Sequence, residues 1–115
     1  MKNRLIKVPL IHTKKGIIGY IEKKIPFKIK RVFFKYNFTE SGSHTNLKTK
    51  MLIICIKGKI SVLIKSKNLR LRKYKLKSPN KAIFIKNNEW RTIIPEDKKT
   101  IILVLASEKY SKNDY

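Results

Sequence analysis

Short apolar runs broken by Gly, Pro, Asn and Ser set the pattern of this chain, and no sustained 3.6-residue repeat interrupts them. Turn signals recur about every 8–12 residues, the spacing of a β-sandwich or barrel. Leu5 to Leu10 reads as an edge strand, because Pro9 cannot donate to a ladder. His12 to Gly16 reads as a turn and Ile17 to Glu22 as the next strand. Ile25-Pro26-Phe27 is a connection, and Lys30 to Tyr36 carries the aromatic and branched residues that pleated surfaces favour. Met51 to Ile56 is a continuous apolar strand, joined through Lys57-Gly58-Lys59 to the alternating strand Ile60 to Lys65. Ser66-Lys67-Asn68 makes a turn, and Leu69 to Leu76 reads as a half-exposed strand. Ala82 to Ile85, Trp90 to Ile94 and Thr100 to Leu105 complete the set. The pattern predicts an all-β fold in a single domain spanning residues 1–115. The polar end, SEKYSKNDY, fits a short helix or a tail that reaches a partner.

The stretch Ser41 to Gly58 stands apart from this regular background. A Gly-Ser-His turn presents His44, with Asn46 two residues on and the apolar strand behind them. Residues i and i+2 of an extended segment share a face, so His44 and Asn46 are expected to project together. Taken alone, His44 also fits a turn histidine bonded to backbone. His12, in a charged turn, reads as a surface residue.

Composition changes the picture in two ways. The formal charge of +22, from 29 Lys and Arg against 7 Asp and Glu, raises the possibility of a polyanionic partner. The lysines are scattered over the whole chain, however, which is the pattern of a solvated surface. A nucleic-acid-binding barrel therefore ranks last among the functions considered, and no nucleic-acid or membrane partner is expected. The single Cys55 lies in an apolar run with nothing to bridge, which points to a core position and a reducing compartment. No window approaches the length of a membrane span, and the N-terminus lacks a signal-peptide core, so a cytoplasmic location is expected.

The order of these pieces resembles the cupins, double-sheet β-barrels of jelly-roll type with a ligand cavity at the mouth. Gly42, His44, Asn46, Met51 and Gly58 stand at the places of the first cupin motif, and Pro79, Lys81 and Arg91 at those of the second. Three of the four usual metal-ligand positions thus hold Asn46, Met51 and Arg91. One imidazole cannot hold a transition metal, so no metal is expected.

Within the cupins, the chain resembles the sugar-nucleotide 3,4-ketoisomerases. The likeness rests on residues 25–34, on Gly42-Ser43-His44, on Trp90, and on Val104 to Ser107 with Tyr110 and Asp114-Tyr115. Where that family usually carries Arg-Gly-x-His-Ala-His, this chain has Ser41-Gly42-Ser43-His44-Thr45-Asn46. The resemblance implies an isomerase that moves the keto group of dTDP-4-oxo-6-deoxyglucose from C4 to C3, toward amino sugars of bacterial surface polysaccharide such as lipopolysaccharide O-antigen. It implies no cofactor, and a homodimer with exchanged N-terminal strands.

Under that reading His44 is the base, since imidazole titrates near neutral pH. Tyr36 or water assists, and Asn46 donates a hydrogen bond to the developing oxyanion. Arg31 and Arg91 are candidates for the diphosphate, through bidentate guanidinium contacts. Trp90 and Phe34 are candidates for the nucleotide pocket, in competition with roles in packing. The alternative is a catalytically altered or inactive sugar-nucleotide binder, motivated by Ser41 and Asn46 standing where arginine and histidine are usual.

Overall fold

The computed structural model describes residues 4–66, 68 and 70–115. Its strands are β1 (Leu5–Lys7), β2 (Leu10–Thr13), β3 (Gly16–Gly19), β4 (Arg31–Tyr36), β5 (Ser41–Thr45), β6 (Met51–Lys57), β7 (Ile60–Lys65), β8 (Leu71–Leu76), β9 (Lys81–Ile85), β10 (Trp90–Pro95) and β11 (Ile101–Ala106). A short 3-10 turn, Lys112–Asp114, follows. The expected all-β architecture is present. No helix among the described residues is long and apolar enough to cross a membrane.

Two antiparallel sheets form the barrel. The larger runs β1-β9-β6-β11-β4 and the smaller β5-β10-β7-β8, while among the described residues β2 and β3 pair only with each other. Between the two sheets lies the main core, including Ile53, Cys55, Ile60, Val62, Ile83, Ile102 and Val104. Burial of that apolar area is the principal stabilising term, at about 25 cal/mol per Å². A second cluster covers the outer face of the larger sheet, where Ile21, Ile25 and Phe27 pack over Leu52, Ile54, Ala82 and Phe84. With both faces covered, β6 reads as an unbroken apolar run. Cys55 is part of the core, and burial pushes its thiol up to about 11. It therefore stays protonated at neutral pH and is no nucleophile.

Some sequence-based boundaries are corrected. Pro9 divides the expected strand Leu5 to Leu10, sending β1 into the larger sheet and β2 into a separate hairpin with β3. His12 and Thr13, expected in a turn, lie in β2, paired with Ile17 and Gly16. Gly42 to His44, also expected as a turn, lies in strand β5 at the edge of the smaller sheet. Lys67 and Leu69, within an expected turn and at the start of an expected strand, lie outside the described residues.

Candidate active site

The sheet edges β4 and β5 bound a cavity of about 310 Å³, at the small end of the range for ligand sites. On β4, alternation puts Arg31, Phe33 and Lys35 inside and Val32, Phe34 and Tyr36 outside. On β5, Ser41, Gly42 and His44 line the cavity, and on β10 Arg91 and Ile93 do so.

His44 and Arg91 are direct cross-strand partners. Their register depends on a bulge between Arg91 and Thr92, opposite Gly42 and Ser43, both at positive φ (98° and 60°). A Cβ on Gly42 would lie 2.9 Å from the Arg91 carbonyl oxygen, so the close approach itself requires glycine.

Arg91 is buried, and one guanidinium nitrogen donates to both Asn46 Oδ1 and Met51 Sδ, the latter at 3.4 Å. Asn46 in turn donates through Nδ2 to Asp114 Oδ2 at 2.8 Å. Asp114 also accepts from the Lys48 amide at 2.5 Å, the Thr49 amide at 3.2 Å and the Thr49 hydroxyl. Burial alone would raise the Asp114 carboxyl, but these donors outweigh it and hold the group below its usual range. Burial pulls the Arg91 pKa down, with Tyr115 and Asp114 opposing, and a guanidinium remains charged throughout.

This network pins the C-terminal segment across residues 46–49. Tyr115 is thereby laid against His44, with ring centroids 4.7 Å apart and planes inclined at 56°. Two buried polar atoms of residues at this cavity, Arg31 Nε and His44 Nε2, find no hydrogen-bond partner among the described residues. A buried donor or acceptor without a partner costs about 1–3 kcal/mol, so a pair of them on residues that line one cavity points to a polar ligand there.

The residues chosen from sequence divide accordingly. His44, Arg31 and Arg91 meet at the cavity. Tyr36 and Phe34 do not, being 57% and 66% exposed on the outer face and stacked on each other at 6.2 Å. Strand alternation from Arg31 sends them there. Trp90 lies one residue out of phase with Arg91, off the cavity lining. Asn46 is fully buried and off the cavity lining, its Oδ1 taken by Arg91 and its Nδ2 turned to Asp114 and away from any substrate oxyanion. Lys35, Ser41 and Tyr115 join the lining without having been chosen; Lys35 donates to Ser41 Oγ at 2.9 Å. The period-two pattern from Arg31 already implied Lys35, but no local signal brings Tyr115 to His44.

The ligand positions of a metal-binding barrel are taken here by Asn46, Met51 and Arg91, in mutual contact. A buried guanidinium repels a cation, so this set does not fit a metal ion. Among the described residues no three His, Cys, Asp or Glu side chains come together as ligands.

The family model FdtA, described as WxcM-like, C-terminal, matches residues 1–115. The chain belongs to this family. It is 28% identical over 120 residues to the TDP-4-oxo-6-deoxy-alpha-D-glucose-3,4-oxoisomerase of Aneurinibacillus thermoaerophilus, covering 100% of this chain and 86% of the relative. Among solved structures it is similar to WlaRA, a TDP-fucose-3,4-ketoisomerase from Campylobacter jejuni, at 28% identity and a TM-score of 0.88, over 100% of this chain and 88% of that one. It is also similar to QdtA, a sugar 3,4-ketoisomerase from Thermoanaerobacterium thermosaccharolyticum solved with TDP, at 30% identity and a TM-score of 0.85, over 99% and 88%. The two-sheet barrel is thus the cupin-type fold of these ketoisomerases.

Proposed function

We propose that the chain is a sugar-nucleotide 3,4-ketoisomerase acting on a TDP-linked 4-oxo-6-deoxyhexose. The observation that carries the reading is the unpartnered His44 Nε2 in a cavity it shares with Arg31 and Arg91. The names of the relatives point the same way.

The reaction moves a proton from C3 to C4 and exchanges hydroxyl and carbonyl between O3 and O4. His44 Nε2 takes the C3 proton while O4 gains one, giving the enediol. O3 then yields its proton, C4 receives one, and the carbonyl stands at C3. No electrons leave the sugar, so the step needs no redox partner. With one imidazole available, His44 accepts in the first half and returns a proton in the second. Arg91, buried and cationic beside it, stabilises the enediolate oxygen that forms between the two transfers. Arg31, with its free Nε, is the candidate for the diphosphate.

The test is turnover of TDP-4-oxo-6-deoxyglucose, with product trapped by a 3-aminotransferase. A His44→Asn variant is expected to lose about 10²- to 10⁴-fold in kcat while holding TDP within a few-fold of wild type. Full activity in that variant would move the base elsewhere. One observation favours a second reading, a binder without turnover: the side chain at Asn46 is neutral and committed to Arg91 and Asp114, so no second imidazole stands beside His44 among the described residues. TDP binding by the wild type with no product would establish it.

The homodimer and a cytoplasmic location belong to the same proposal. Hairpin β2–β3 pairs only with itself, and Ile11, Ile17 and Ile18 on it are 48%, 63% and 56% exposed, as befits an arm that packs on a second copy. A nucleotide-linked substrate and an unpaired cysteine suit the cytoplasm. Cell fractionation checks the location.

A further inference from the structure

The chain has 24 lysines and five arginines, and the two are distributed differently. Lysines are spread throughout. The arginines all line one of two cavities: Arg31 and Arg91 the one with His44, and Arg4, Arg70 and Arg72 a second. This second cleft, about 700 Å³, opens between the other pair of sheet edges, with β8 on one side and Arg4 and Lys86, which flank β1 and β9, on the other.

Across the smaller sheet, His44, Arg91, Ile64 and Arg72 stand in one row on β5, β10, β7 and β8. Three strand spacings separate the ends, roughly 14 Å. Ile64 and the core beneath it keep the two cavities apart.

The second cleft has a fixed base. Arg4 is buried and donates to the Phe84 carbonyl at 2.9 Å and to both Glu89 carboxylate oxygens at 2.8 and 2.7 Å. Its guanidinium carbon lies 5.9 Å from the centre of the Tyr74 ring. Glu89, the one carboxylate in the lining, also accepts from the Lys86 amide at 2.8 Å, so it is already engaged. Arg70, Arg72 and Lys86 form no ion pair among the described residues. Arg72 lies in β8 and Arg70 just before it, two residues apart, and both line the cleft. Solubility would be served as well by lysine. Planar forks at i and i+2 over an engaged carboxylate suit bidentate binding of a tetrahedral oxyanion.

We propose that this cleft is a second anion site, taking a phosphate monoester or a diphosphate on Arg70 and Arg72, separate from the cavity that holds His44. The full-length chain is titrated with inorganic pyrophosphate, and separately with TDP, while backbone amides are followed by NMR. Pyrophosphate is expected to shift amides of residues 70–74 and 86–89 along one saturable curve. An inorganic occupant binds no more weakly than TDP at these amides; a nucleotide occupant binds TDP more tightly and moves Tyr74 further. The charge-conserving double variant Arg70→Lys/Arg72→Lys is expected to weaken that curve at least fivefold, and Arg70→Gln/Arg72→Gln at least tenfold. Lys14→Gln/Lys15→Gln, with the same loss of charge on hairpin β2–β3, should leave it within twofold. Equal weakening by the hairpin control, or full retention in the Arg→Lys variant, would reduce the cleft to part of a diffuse cationic surface and overturn the site.

Discussion

Asn46 joins two buried charges that do not bond each other directly, accepting from Arg91 through Oδ1 and donating to Asp114 through Nδ2. A neutral amide can do both at once, whereas a carboxylate could not donate to Asp114. Asn46→Ala leaves the buried Arg91 guanidinium facing only Met51 Sδ, removes one of four donors to Asp114, and is expected to cost about 2–4 kcal/mol of stability, seen as a fall in Tm. Loss of turnover with Tm unchanged would instead make Asn46 a substrate ligand. Asp114 gives a pH test of the same network. Its folded pKa lies below its ordinary value near 3.8, so its contribution is present above that value and is lost as pH falls through the folded one. The stability difference between wild type and Asp114→Asn, from urea unfolding, should therefore be constant near neutral pH and shrink below about pH 4. A difference that persists to pH 2 would remove the carboxylate from the account. The place of His44 on the cavity lining was signalled in the sequence because Gly42 and Ser43 set it apart from the regular apolar strands. Tyr115 was not, because its place depends on Asp114 meeting residues 65 to 68 positions away.

Strand β5 shows why element type was readable in most places and not here. Its Ser-Gly-Ser-His composition is that of a turn, and pairing with β10 overrides it. The bulge at Gly42 then reconciles a left-handed backbone with a ladder and sets His44 opposite Arg91. Gly42→Ala meets both the φ of 98° and the 2.9 Å approach to the Arg91 carbonyl, at a cost of roughly 1–3 kcal/mol. Because relief of that contact moves β5 against β10, kcat is expected to fall by about tenfold or more even at temperatures well below Tm. Steady-state turnover beside a melting curve measures both, and unchanged kcat in the variant would mean that the bulge does not set His44. The continuous apolar strands β6 and β9 were legible for the opposite reason: covered on both faces, they need no partner in the sequence to be recognised. The separation of β1 from β2 at Pro9 turns on which sheet each strand joins, a long-range matter that local pattern does not carry.

At the scale of the whole molecule, the outer face of the larger sheet is unfinished. Leu52 and Ile54 on β6 are covered by the segment that carries Ile21, Ile25 and Phe27, and Leu103 and Leu105 on β11 are partly covered. Val32, Phe34 and Tyr36 on β4 continue the same face, paired with Leu105, Leu103 and Ile101, yet are 56%, 66% and 57% exposed. β4 is also an edge strand, with one side of its backbone unpaired in the sheet. An apolar stripe on an open edge is the kind of surface that soluble proteins cover, and in the proposed homodimer a second copy of this chain would supply a matching stripe and a β2–β3 arm. Phe34 packs little in the single chain, so Phe34→Glu should leave the fold intact and place a charge at the centre of the stripe. Sedimentation velocity at micromolar concentration is expected to give a dimer for wild type and a monomer for the variant, with matching far-UV spectra. A variant that stays dimeric would shift the contact to hairpin β2–β3, where Ile17→Glu is the corresponding test; a monomeric wild type would leave the stripe uncovered and remove exchange of the arm from the account.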